Sequence, residues 1–290
     1  MELQWPLIIF TTGLAWCAGL FAFQAFAAMR GTGKKSQMVS LVASVVILAV
    51  SGVSVLFHLA SPLRIFNGFG NPTSGITQEL AAIVVLFVFM VIYFVQIRKS
   101  DDGGTPAKWC AICSIVMCAV LLVACGHSYM MASRPAWNSV LEIGSLFGAA
   151  LLAGPLTFAF ICYVKGDEAL ALAKEMLIAG AVGAVLLVAY AIFISASGGS
   201  FNNVGNYFDP INPNNGMLDT GAVIVSQLAL LWVGGIVLGG AAPLACLYFA
   251  KKKPEKAKVL VAVGAACAIV GAVLMRVAFY NVGVSFYSIY

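Results

Sequence analysis

Charge is scarce in this sequence, and so is histidine. Charged residues make up 9% of the 290 residues, only two residues are histidine, and 62% are hydrophobic. A soluble domain carries roughly 25% charged residues. With a mean hydropathy of +1.00, a water-soluble fold is excluded. The opening MELQWPL has an acid but no Lys or Arg, so it lacks the basic start of a signal peptide. Its apolar run is therefore read as a first membrane helix. Short segments of alternating polarity, which a membrane barrel requires, are missing too. Of the eight cysteines only Cys110 and Cys113, in WCAIC, have motif spacing. No second pair completes a zinc site, and no His follows as haem attachment requires. The other six lie inside apolar runs, where cysteine acts as a small hydrophobe. No metal is expected.

What the chain does have is eight apolar runs, at about residues 7–29, 39–59, 76–97, 109–131, 140–164, 176–195, 221–250 and 259–279. About 20 such residues cross a hydrocarbon core as a helix. The expected fold class is all-α: a polytopic integral membrane protein with eight transmembrane helices in a bundle, forming one domain over residues 1–290. Four-residue spacings of small residues, such as Gly144 with Gly148 and Gly235 with Gly239, read as helix packing. No convincing internal repeat is present.

Basic residues accumulate on the cytoplasmic side of a membrane protein. Alternate loops hold 13 of the 16 Lys and Arg, and the opposite side keeps Arg64, Arg134 and Arg276. Both termini are therefore expected outside the cytoplasm. The net charge of +5 is a topology signal and gives no reason to invoke nucleic acid; the partner it implies is the lipid bilayer. The one long connection, residues 198–220, is rich in turn formers and aromatics, has no Lys or Arg, and falls on the outer side.

Ionisable groups at membrane depth are costly and tend to mark a ligand or a pathway. His58 falls at the end of the second run, Glu79 opens the third, and His127 lies near the end of the fourth. Glu142 opens the fifth run, and Arg276 lies near the end of the eighth. In an alternating bundle all five reach the outer end, together with Arg64, Arg134, Asp209 and Asp219. Each has a structural reading at a helix end. His58 and His127 could also ligate a single haem from two helices. A proton-coupled small-solute transporter is a further reading, although a carrier usually places its polar site at the midplane between repeated halves.

The stretch FHLASPLRIFNGF, residues 57–69, resembles the second-helix motif of the membrane anchor subunit of bacterial dimethyl sulfoxide reductases. SGITQEL supplies the acid that follows it, and QWPLIIFTTG and RVAFYNVGV are similar to that family's first and last helices. The resemblance implies an anchor without a haem or metal of its own, in a bacterial cytoplasmic membrane. Its implied partners are a molybdopterin catalytic subunit and an iron-sulfur subunit. Its implied substrate is menaquinol, bound near the outer face and oxidised to menaquinone in anaerobic respiration. Carried over residue by residue, His58 matches the quinol-site histidine and Glu79 its nearby acid, with Arg64 in the same motif. His127, Glu142 and Arg276 remain further candidates, the first two without a family counterpart. A purely structural anchor that binds no quinol is the alternative within the family. The bottom-up chemistry is compatible with the quinol role, because histidine titrates near neutral pH and can both hydrogen-bond a quinol hydroxyl and take its proton.

Overall fold

The computed structural model describes residues 4–59, 61, 67, 69–100, 104–131, 134, 136–197 and 220–283. Arg64, Asp209, Asp219 and residues 198–219 of the long connection lie outside the described residues. The described residues are helical apart from short connections. The helices are α1 (Trp5–Met29), α2 (Gln37–Leu56), α3 (Gly75–Lys99), α4 (Lys108–Ser128), α5 (Val140–Lys165) and α6 (Ala173–Ser197). A seventh, α7, runs without a break through Thr220–Ala229, a π-helical Leu230–Ala241 and Ala242–Lys252; α8 is Ala257–Val282. Eight spans among the described residues are long and apolar enough to cross a membrane.

Local chemistry sets several of the ends. Pro6 sits in the first turn of α1, where its missing N–H would have had no partner anyway. The Ser139 hydroxyl caps α5 by accepting from the Leu141 N–H at 3.2 Å, and Gly166, at φ 71°, closes the same helix in the left-handed region that glycine adopts without a Cβ penalty. α2 stops at Leu56 rather than at 59, because the N–H groups of Phe57, His58 and Leu59 turn back to the carbonyls of Ser54, Val55 and Leu56. Likewise α4 stops at Ser128 rather than at 131, where Tyr129 and Met130 bond to Gly126 and His127. A turn residue adds as much hydropathy as a helical one, so hydropathy overruns both ends.

α1 and α5 form the centre and are buried along most of their length. They touch backbone to backbone: a Cβ on Gly19 would lie 2.2 Å from the Ala150 carbonyl oxygen, and one on Gly154 would lie 2.1 Å from the Gly19 carbonyl carbon. α2 packs on α1, α3 on α4, α6 on α5, and α8 on α5 and α7. The outer helices turn β-branched residues outward, as Val42, Val46, Val50 and Val53 show on α2, and bury small polar ones, as Ser40, Ser44, Ser51 and Ser54 show. Close approach and hydrogen bonding drive association where lipid tails are as apolar as leucine. Gly148 meets Gly183 in this way, and Gly239 meets Gly271, whereas Gly144 has only ordinary contact with Leu186.

Candidate functional site

Among the described residues a cavity of about 370 Å³ opens at the end of the bundle where α1 begins and α8 ends. Its lining includes His58, Glu79, Tyr129, Arg134, Trp137 and Tyr280, with Gln4, Ser128 and Asn281 beside apolar Leu7, Phe10, Val55 and Ile76. The local folding of four segments brings these residues together.

Glu79 comes from the inward stripe of α3, which it shares with Ala82, Leu86, Met90 and Tyr93 at the three- and four-residue spacing of one helix face. Gly75, one turn earlier on that face, lets α3 approach α4 until an added Cβ would lie 2.7 Å from the Ser128 Cα. The Ser128 hydroxyl then lies 3.3 Å from Glu79 Oε2, its proton shared with the Cys125 carbonyl at 2.7 Å. Glu79 Oε1 is buried with no hydrogen-bond partner among the described residues. Buried polar oxygens are normally paired, and a further donor beside this carboxylate is the Cys125 thiol. His58 stands in the turn after α2, exposed at the cavity edge. α2 is tied to α1 there by the Ser54 hydroxyl, 3.1 Å from the Pro6 carbonyl oxygen.

The opposite wall is aromatic. Trp137 stacks on Phe279 at 4.8 Å, with an interplanar angle of 15°, and its indole N–H donates to the Phe279 carbonyl at 2.7 Å. Arg134 lies over the Trp137 ring at 4.4 Å and donates to the Gly283 carbonyl at 2.7 Å. With both faces and its N–H engaged, Trp137 is a rigid wall. Tyr129 packs edge-on against Trp137 and Tyr280. The Tyr280 hydroxyl is 2.8 Å from that of Tyr129 and 3.3 Å from the Leu7 carbonyl oxygen, which also accepts from Thr11 at 2.9 Å.

The remaining sequence candidates go elsewhere. Glu142 and Arg276 are fully buried and form an ion pair with each other, and Arg276 also donates to the Ser145 hydroxyl at 2.8 Å. Neither belongs to the cavity lining. His127 is on an exposed face of α4 and does not join His58 in the lining of this cavity. Cys110 is buried in the core and Cys113 is partly buried. No group of three or more His, Cys, Asp or Glu among the described residues is arranged to hold a metal ion.

Nothing in the sequence singles out Tyr129, Trp137 or Tyr280 as site residues, and Arg134 stands out only as a charge on the outer side. A tyrosine inside an apolar run counts as one more hydrophobe, and nothing marks its hydroxyl as paired. The only visible signal is RVAFYNVGV, a matching motif that holds Phe279, Tyr280 and Asn281.

The family model for the DMSO reductase anchor subunit (DmsC) matches residues 1–282. The chain belongs to that family. It is therefore a multi-pass membrane subunit that anchors a reductase complex of anaerobic electron transport. It is also similar to the C subunit of the anaerobic dimethyl sulfoxide reductase of Escherichia coli strain K12. The two are 21% identical over 240 residues, covering 79% of this protein and 82% of that one. The family match takes in all eight helices, so the cavity lies within the segment that defines the family.

Proposed function

We propose that this anchor subunit binds menaquinol in the cavity at the α1 start and oxidises it there, passing the electrons to an iron-sulfur subunit that serves a molybdopterin catalytic subunit. In this reading the chain lies in a bacterial cytoplasmic membrane with both termini and the cavity on the outer side, as the 13 to 3 distribution of Lys and Arg favours. Family membership supports the partners. The observation that carries the reading is that His58 and Glu79, on either side of the connection between α2 and α3, line one pocket of about 370 Å³ whose other walls are apolar and aromatic. Such a lining, with few and converging polar groups, suits a ring with two hydroxyls and a hydrocarbon tail.

Quinol oxidation releases two electrons and two protons. The electrons leave for the partner's cluster, and the protons need acceptors within hydrogen-bond reach. At the open edge of the cavity, His58 accepts the proton of one quinol hydroxyl through its imidazole. Glu79 Oε1, unpaired in the pocket, is the second acceptor, while Ser128 steadies the other oxygen. Water beyond the cavity edge then takes the protons.

Quinol-dependent turnover by His58→Ala and Glu79→Gln complexes in membranes tests this directly, beside turnover with an artificial donor that feeds the partner subunits. Loss of a proton acceptor is expected to cut the quinol-dependent rate about a hundredfold with the artificial-donor rate unchanged. Wild-type quinol oxidation by both variants would sink the reading.

A further inference from the structure

The Tyr280 hydroxyl has a single proton and lies against the Leu7 carbonyl at 3.3 Å, the Tyr129 hydroxyl at 2.8 Å and the Thr11 hydroxyl, whose own proton goes to Leu7. A carbonyl can only accept, whereas a phenol can do either. The arrangement that makes the Leu7 and Tyr129 contacts both hydrogen bonds has Tyr280 donating to Leu7 and Tyr129 donating to Tyr280. The reverse choice would set two acceptor oxygens against each other at Leu7. Tyr129 has then spent its proton inside the protein. Both tyrosines are almost wholly buried and both line the cavity, so Tyr129 meets a ligand as an acceptor.

We propose that the Tyr280–Tyr129 pair makes this cavity selective for the reduced, hydroxyl-bearing form of its ligand over the oxidised, carbonyl-bearing form. The proposal deepens the quinol-site reading and rests on it. On binding, the quinol hydroxyl that later loses its proton to Glu79 first donates it to the Tyr129 oxygen, with the pair undisturbed, and turns to Glu79 Oε1 only as oxidation begins. A quinone carbonyl has no proton to give, and Tyr129 can serve it only if the pair reverses and the bond to Leu7 is lost. The difference is one hydrogen bond, about fivefold in relative affinity. It works in the useful direction, because the site holds the substrate and lets the product go. The tyrosines neither gain nor lose a proton overall; Tyr129 sets specificity and Tyr280 positions it.

The test uses the intact complex in membranes, with menadiol as electron donor and menadione as product inhibitor, and reads the ratio of the menadione inhibition constant to the menadiol KM. Tyr280→Phe keeps the ring contacts with Trp137, Phe279 and Tyr129 but frees the Tyr129 proton to point either way. The ratio is expected to fall about fivefold, mostly through tighter menadione binding. In Tyr129→Phe the ratio falls too, this time with a raised menadiol KM. Unchanged artificial-donor turnover reports assembly, and should Tyr280→Phe fail to assemble, the Tyr129→Phe ratio decides by the same criterion. A wild-type ratio in the assembled variants, with His58→Ala still blocking menadiol oxidation, overturns the selectivity and leaves the site standing. Normal menadiol oxidation by His58→Ala and Glu79→Gln overturns the site, and the selectivity with it.

Discussion

Glu142 and Arg276 are held by each other where hydrocarbon and packed helices surround them, at 0% and 3% side-chain exposure. Each charge is tolerable there only because the other is present, and Ser145 satisfies a further guanidinium N–H. Arg276→Met alone leaves a buried carboxylate unpaired, which costs about 3–5 kcal/mol. Replacing both, as Glu142→Leu with Arg276→Met, removes both charges and is expected to recover most of that loss. Thermal melting of the purified complex checks this; equal destabilisation by the single and double variants would show that the pair itself carries the stability. The sequence places these two residues at the right end of the bundle and groups them with the site. Position along a helix gives depth, but the face a residue occupies depends on how the helix is rotated against its neighbours. That separates Glu79, on the inward stripe of α3, from His127, which is at similar depth on an outward face of α4. Arg64 lies outside the described residues.

At the scale of the element, glycine contacts rank the helix crossings. The Gly19 and Gly154 contact between α1 and α5 is backbone against backbone, so no side chain can move aside. Gly154→Val is expected to cost several kcal/mol, beyond the roughly 1–3 kcal/mol of ordinary overpacking, and to abolish assembly. Gly235→Ala meets only the flexible end of Met275, and Gly144→Ala meets nothing closer than 3.5 Å; both are expected to assemble normally. The amount of partner subunits recovered with the membrane for each variant reads the difference. Assembly of Gly154→Val at wild-type level would mean that α1 and α5 do not meet at this point. Helix number is legible because span length follows from hydropathy. Which two helices are central is not, because these segments are apolar all round. The distinguishing feature is burial: α1 and α5 are covered along most of their length, whereas the peripheral helices are covered along less of theirs.

For the whole molecule, the basic residues predict a single orientation. A cysteine placed at Lys253, in the connection between α7 and α8, should resist a membrane-impermeant reagent in intact cells and react once the membrane is opened. Labelling of intact cells would reverse the orientation and put the cavity on the cytoplasmic side. The bundle also holds a second cavity, of about 400 Å³, among α1, α4, α5 and α6, lined by Ala18, Gly19, Ile115, Leu122, Phe147 and Pro155. It is similar in size to the proposed site and almost wholly apolar. It has the room for a quinol ring but lacks the proton acceptors that oxidation needs, since the single acid in its lining, Glu175, is paired with Arg30 at 3.2 Å. The two cavities therefore give opposite answers to one question: where the quinol ring sits. Photoaffinity labelling of the assembled complex with a menaquinone analogue carrying the photoreactive group on the ring, followed by peptide mapping, answers it. Label on the peptides that hold His58, Glu79 and Tyr129 to Trp137, competed away by menadiol, is the predicted result. Competed label confined to the Ile115 to Leu122 and Phe147 to Pro155 peptides would contradict the account.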